Sequence, residues 1–151
     1  MAIVGAAWLD LVLLDAISRQ LPRGDVGATK ALFEGPLQAF GARIHLGYSL
    51  NVYGDGIYQD LATIKEIRNA FAHSAEAMAF DDDDVAELVG TMNSPKKVKY
   101  QGPPEPVTPR ERYVRAVEIV ADLLLSDMSR RATGSSAEAI LQMAGRRDRA
   151  Q

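Results

Sequence analysis

Apolar residues recur at helical spacing along most of this chain, and the segments that they define predict an all-α fold. The first segment runs from Ala2 to Leu21, and its apolar residues lie almost all round the helix. That pattern predicts a central, buried helix that touches several neighbours. The first helix ends at Pro22-Arg23-Gly24, and a short second helix is predicted from Ala28 to Glu34.

Two further helices follow a proline break and a glycine turn. Gly35-Pro36 interrupts the chain, and a third helix is predicted from about Leu37 to Val52, where large apolar residues return every fourth position. Gly54-Asp55-Gly56 is a turn signal. The fourth helix is then predicted to begin near Ile57 and to end near His73 or slightly beyond.

Arg68 is the residue of the fourth helix that most needs a chemical explanation. On an ideal helix it falls within about 40° of the line formed by the apolar residues Ile57, Leu61, Ile64, Phe71 and Ala75. A guanidinium among apolar side chains is unfavourable unless an anion meets it. We therefore expect Arg68 to pair with an anionic group, and the first helix offers Asp10 and Asp15. The alternative is that both aspartates lie at the rim in solvent.

The second half of the chain contains an acidic run and a proline-rich loop. Asp81 to Asp84 is interpreted as capping for a short helix through Leu88, with Asp81 or Asp82 as N-cap. Cation binding is the weaker alternative, because consecutive carboxylates point in different directions. Asn93 to Thr108 predicts an irregular loop, with a short strand or hairpin arm over Val98 to Gln101 as the alternative.

Basic side chains gather in this loop beside one aromatic residue: Lys96, Lys97, Lys99 and Tyr100. Such a set can contact a nucleic-acid backbone. It is more often simply solvated, and three lysines do not outweigh that interpretation.

Thr108-Pro109-Arg110-Glu111 predicts the start of the last long helix, with Thr108 as N-cap and Glu111 completing a capping box. The core stripe of this helix is predicted to be Tyr113, Val117, Val120, Leu124 and Met128. The helix should end near residue 131, so residues 1–131 are predicted to form one domain. A short helix from Ala137 to Met143 and a basic tail follow, so residues 132–151 are predicted to be a mobile C-terminal extension.

Composition excludes several classes of site. The 151 residues include 17 basic and 20 acidic ones, a net charge of −3, so no overall field draws the chain to nucleic acid or anionic membrane. Cysteine is absent, which excludes disulfides and zinc–thiolate sites. His45 has no second histidine at metal spacing and is interpreted as a packing or surface residue. No metal and no cofactor is expected.

The apolar N-terminus resembles a membrane segment only superficially. Asp10 and Asp15 interrupt it well short of the roughly 20 residues that a membrane span needs, and no basic residues precede it. We therefore predict a cytoplasmic protein that does not enter a membrane. Because the first helix starts almost at Met1, additional structure upstream remains an open alternative.

Three segments together resemble the MtlR family, the mannitol-operon repressor proteins. They are GPLQAFGARIHLGYSL (Gly35 to Leu50), DLATIKEIRNAFAHS (Asp60 to Ser74) and PRERYVRAVEIVADLLL (Pro109 to Leu125). That family is part of the wider HEPN superfamily, whose signature is an arginine followed four to six residues later by a histidine. The matching positions here are Arg68, Asn69 and His73.

The resemblance implies a compact HEPN-like helical bundle and two alternative functions. In the first, the chain is a repressor-type transcriptional regulator that works as a non-catalytic homodimer through a protein partner. Direct sequence-specific DNA binding is not expected, because the chain has no recognition helix rich in Arg, Asn and Gln.

In the second alternative, the chain is a metal-independent endoribonuclease of the toxin or defence type. Its substrate would be RNA, with His73 as the acid or base, Arg68 stabilising the phosphate and Asn69 orienting His73 or the substrate. Arg68 and His73 are about 140° apart on an ideal helix. A catalytic site would therefore need a second copy across a two-fold axis, or a helix that unwinds near His73.

Overall fold

The computed structural model of the chain describes residues 1–21, 27–74, 77–94 and 108–126. The first five helices of the described residues are α1 (Ala2–Ser18), α2 (Gly27–Glu34), α3 (Phe40–Ser49), α4 (Asp55–His73) and α5 (Asp83–Thr91). Residues 109–126 form a further helix, α6, and the described residues contain no strand. The predicted all-α class is confirmed.

Helix α1 lies at the side of the bundle and not at its centre. It packs against α3 and α4 through one face, on which Leu9 and Leu13 are fully buried. The opposite face exposes 69% of Val4, 43% of Trp8 and 65% of Leu11. These three residues lie within an arc of about 60° on an ideal helix, and we call them the outer face of α1. Helix α1 does contact several neighbours as predicted, because it packs on α3 and α4 and its Ala2 carbonyl accepts the Tyr113 hydroxyl of α6. The prediction that it is enclosed all round is wrong, because Val4 and Trp8 stay exposed beside Tyr113 and Val117 of α6.

Helix α3 begins later than predicted and ends in a specific backbone motif. It starts at Phe40 and not near Leu37, since the residues after the Gly35-Pro36 break form a turn. At its C-terminus Asn51 adopts φ 56°, the N–H of Val52 donates to the Gly47 carbonyl at 2.9 Å, and the Asn51 N–H donates to Tyr48. This Schellman motif turns the chain towards α4.

Helices α4 and α5 differ from the predictions only at their ends. The predicted turn at Gly54-Asp55-Gly56 is partly absorbed into α4, which begins at Asp55, and α4 ends at His73 as predicted. Helix α5 has Asp82 as its N-cap residue, with Asp83 and Asp84 in the first turn. Asp82 therefore occupies the predicted N-cap position, but its side chain makes no capping hydrogen bond to α5, and its Oδ2 accepts the N–H of Ala79 at 2.8 Å instead. The helix extends three residues beyond the predicted end.

Helix α6 starts and packs as its sequence predicts. The Thr108 N–H donates to Glu111 Oε2 at 3.0 Å and the Glu111 N–H donates to Thr108 Oγ1 at 3.2 Å, which completes the capping box. The predicted stripe is buried at its four described positions: Tyr113, Val117, Val120 and Leu124. The Tyr113 hydroxyl donates to the Ala2 carbonyl at 2.9 Å, which ties α6 to the start of α1.

Several predictions lie outside the described residues. They concern the loop with Lys96, Lys97, Lys99 and Tyr100, the alternative hairpin arm, Met128, and residues 132–151. Among the described helices, none combines the length and the apolar character needed to cross a bilayer.

Candidate functional site

Arg68 is exposed to solvent, so the prediction that its guanidinium is buried is wrong. Its Nη1 donates to the Asn69 side-chain oxygen at 2.9 Å. The neighbouring Ile67 is fully buried and takes the core position on this turn of α4. Opposite Arg68, α1 and α3 present small residues such as Ala7 and Gly41, which leave an open cleft instead of packed side chains.

Asp10 pairs with Arg43 and not with Arg68. Arg43 Nη1 donates to Asp10 Oδ1 at 2.8 Å, and Arg43 Nε donates to the Leu37 carbonyl at 2.8 Å. The arginine is only 9% exposed, and its guanidinium carbon lies 5.9 Å from the centre of the Phe33 ring. The buried cation expected from the sequence therefore exists, but it is on α3. The sequence signal for this buried cation is Arg43 itself, which directly precedes Ile44 in an otherwise apolar segment.

Asp15 forms a surface ion pair within α1. Its carboxylate lies 3.1 Å from Arg19 Nη2, one helical turn away, and both side chains are about half exposed. The expectation that Asp15 neutralises Arg68 is therefore wrong. The alternative of a solvated rim position is correct for Asp15.

The three residues of the predicted catalytic motif do not converge within one chain. His73 is the last residue of α4 and is exposed, and no hydrogen bond or ion pair joins its side chain to another described residue. The Asn69 side-chain oxygen is bonded to Arg68 and so is not the group that orients His73. Arg68 faces the cleft towards α1, while the ideal helix turns His73 about 140° away from it.

The cleft beside Arg68 lies between α1, α3 and α4 and has a volume of about 460 Å³. We call it the α1–α3–α4 cleft. Its apolar lining comes from Ile3, Ala6, Ala7 and Phe40. Its polar lining comes from Asp10, Gln38, Lys65, Arg68 and Asn69. This size is within the range of small-molecule sites, which are typically apolar with a few converging polar groups.

Asp60 is a buried acid whose role was not predicted from the sequence. It is fully buried on α4, and its carboxylate accepts the backbone N–H groups of Asn93 and Ser94 at 2.7 Å each. The Ser94 hydroxyl also donates to it. The missed signal was an acid at the helical position directly before Leu61 and four residues before Ile64. This carboxylate anchors the segment that follows α5, so its role is structural.

A polar aromatic cluster joins the end of α3 to the start of α4. The Tyr48 hydroxyl donates to Asp55 Oδ1 at 2.6 Å, and this hydrogen bond raises the pKa of Tyr48. The Tyr58 hydroxyl lies 3.0 Å from Nδ1 of His45. His45 is therefore a surface residue with a hydrogen-bonding partner, in agreement with its interpretation. No group of three potential metal ligands occurs among the described residues.

Comparison with known proteins identified no relative of this chain. No protein-family model, no curated protein and no solved structure matches the chain. The resemblance to the MtlR family therefore rests on the sequence pattern alone.

Proposed function

We propose that this chain is a cytoplasmic, repressor-type regulator of the MtlR kind, which works as a non-catalytic helical homodimer through a protein partner. The observation that carries the proposal is the outer face of α1. It leaves Val4 69%, Trp8 43% and Leu11 65% exposed on a helix that buries its other side. Contiguous apolar surface of this kind is typical of protein–protein contacts.

We assign the dimer contact to the outer face of α1 and its occupant to a second copy. Val4, Trp8 and Leu11 carry no charge, so two copies can approach across a two-fold axis without electrostatic repulsion. The nearby Asp15 is already paired with Arg19. A nucleic-acid backbone, in contrast, would require a basic surface.

The separation of Arg68 from His73 supports a non-catalytic role. Metal-free RNA cleavage needs a proton-transfer group and a cation at the same phosphate. Within one chain the cation faces the cleft and the histidine lies at the exposed end of α4. The ribonuclease alternative therefore requires a second copy to supply the missing group.

The oligomeric state tests the dimer contact. We expect sedimentation of the wild type to give a dimer and Leu11→Lys to give a folded monomer by circular dichroism. Leu32→Lys is the matched control, because Leu32 is also an exposed leucine, 43% accessible, but lies on α2. Trp8 is the only tryptophan, so its emission should shift to the blue as the wild type associates. A monomeric wild type, or dissociation by Leu32→Lys but not by Leu11→Lys, would contradict the assignment.

Complementation in the native host tests regulation. Deletion of the gene should raise transcription of a defined operon, and the wild type, Leu32→Lys and His73→Ala should each restore repression while Leu11→Lys does not. In parallel, purified protein is incubated with mixed RNA in EDTA. If the wild type cleaves RNA and both His73→Ala and Arg68→Ala do not, the proposal of a regulator is wrong and the ribonuclease alternative takes its place.

A further inference from the structure

We infer that the α1–α3–α4 cleft is a binding site for a small phosphate monoester with an apolar body. The site does not depend on the proposed dimer, because the polar groups offered to a ligand lie on α4 and the α2–α3 connection and not on the outer face of α1. Three features carry the inference: two cationic side chains without acidic partners among the described residues, two amide side chains beside them, and an apolar wall opposite.

The charge of the cleft is positive. Lys65 and Arg68 stand one turn apart on α4 and both line it, and neither forms an ion pair with a described acid. The acid of the cleft, Asp10, is neutralised by the Arg43 guanidinium at 2.8 Å. Two positive charges are therefore left for a ligand. A phosphate monoester carries a charge of about −1.5 to −2 near pH 7, which matches them better than a single carboxylate does.

The geometry of the donors also suits a phosphate group. The Lys65 side chain passes over Gly41, where a Cβ atom would lie 3.4 Å from its Cδ and 3.9 Å from its Nζ. The absence of a side chain at Gly41 thus gives the ammonium group room at the cleft. The Asn69 oxygen holds Arg68 Nη1 at 2.9 Å and limits the freedom of the guanidinium. A preorganised guanidinium is well suited to bind phosphate oxygens.

The apolar wall of the cleft determines which kind of group the phosphate monoester can carry. Ala6 and Ala7 of α1 and Phe40 of α3 present apolar surface, and Gln38 is the remaining amide at the rim. The volume of about 460 Å³ is sufficient for a phosphate group and a body the size of one six-membered ring. We therefore expect both the phosphate group and the apolar body of the ligand to contribute to the binding affinity.

Titration of the full-length protein with phenyl phosphate tests the site. Binding is followed by calorimetry and by amide chemical shifts, with inorganic phosphate, benzoate and benzyl alcohol as comparison ligands. Phenyl phosphate should bind most tightly, and the shifts should concentrate at Gly41, Lys65 and Arg68. Lys65→Gln and Arg68→Gln should each weaken binding about tenfold, and the double variant should weaken it further.

Lys30→Gln is the matched control, because the Lys30 side chain is 74% exposed on α2 and lies outside the cleft. It should leave the affinity unchanged. The inference is overturned if phenyl phosphate does not bind, if Lys30→Gln weakens binding as much as Arg68→Gln, or if benzyl alcohol binds as tightly. Shifts that map outside the cleft would overturn it too. Because Leu11 takes no part in the site, Leu11→Lys should retain phenyl phosphate binding even if it abolishes the dimer.

Discussion

The buried carboxylate of Asp60 on α4 accepts the backbone N–H of Ser94, beyond the end of α5, at 2.7 Å. The same carboxylate accepts the N–H of Asn93 at 2.7 Å and also the Ser94 hydroxyl. The Asn93 side-chain amide also donates to it at 3.4 Å, so one fully buried acid accepts four donors of a segment that is remote in sequence. Buried donors that lose such a partner destabilise a fold strongly.

Asp60→Ala should lower the free energy of unfolding by about 3 kcal/mol, because it leaves two backbone N–H groups without an acceptor in the interior. Ser94→Ala removes only the hydroxyl and should cost about 1 kcal/mol. Urea unfolding followed by circular dichroism measures both. Asp122→Ala on the exposed side of α6 is the control and should change little. An Asp60→Ala protein as stable as this control would refute the anchoring role.

The Asp10–Arg43 and Asp15–Arg19 pairs offer a direct comparison of a partly buried and an exposed ion pair. The Arg43 side chain is 10% exposed, whereas the Arg19 side chain is 55% exposed. Double-mutant cycles with Asp→Asn and Arg→Gln should give a coupling of about 2 kcal/mol for the first pair and below about 0.5 kcal/mol for the second.

Salt separates the two pairs further. Coupling in the exposed Asp15–Arg19 pair should fall towards zero in high salt, while the Asp10–Arg43 coupling should fall less, because partly buried pairs are screened less than exposed ones. Equal couplings for the two pairs would mean that the partly buried contact contributes no more than a surface one.

Local patterns in the sequence were sufficient for most of the helices. The capping box at Thr108 and Glu111 depends on residues three apart, and the buried stripe of α6 depends on helical periodicity. Such short-range signals do not require knowledge of any other element. The N-cap position of Asp82 was also predictable locally, but the binding of its carboxylate to the Ala79 N–H was not.

The site required tertiary information that periodicity does not contain. A helical projection ranks Arg68 with the core of α4, but exposure depends on what lies opposite, and there α1 and α3 present Ala7 and Gly41. For the same reason Asp10 was expected to pair with Arg68 and pairs with Arg43 instead, because only the packing of α1 on α3 brings Arg43 to it. Likewise, the projection of α1 could not reveal that no described element covers Leu11.

Two glycines of α3 should respond in opposite ways to alanine. A Cβ at Gly47 would lie 2.7 Å from the Tyr53 hydroxyl oxygen and 2.9 Å from its ring, and that hydroxyl is held by the Ile44 carbonyl at 2.6 Å. Gly47→Ala should therefore cost about 2 kcal/mol through overpacking. Gly41→Ala meets only the flexible Lys65 side chain and should be neutral or stabilise by up to about 1 kcal/mol.

Thermal and urea unfolding of the two alanine variants provide the measurement. If both variants had the same stability, the contact of Gly47 with Tyr53 would not limit the residue at that position. Tyr53→Phe in the Gly47→Ala background should recover part of the loss, because it removes the atom nearest to the added methyl group.

Alkaline pH should unfold the protein through its buried tyrosines. Burial raises the pKa of Tyr113 above the ordinary value of 10.0, and burial also raises that of Tyr53. The unfolded chain therefore releases these protons first, so their contribution is fully present below pH 10 and declines above it, by about 1.4 kcal/mol per pH unit for each tyrosine.

Tyr113→Phe loses the hydrogen bond to Ala2 and should be less stable at pH 7, but its stability should fall less steeply between pH 10 and 11. Urea unfolding at several pH values gives the slope of the unfolding free energy against pH for each protein. Identical slopes for the wild type and Tyr113→Phe would show that the Tyr113 hydroxyl ionises equally easily in the folded and unfolded chains.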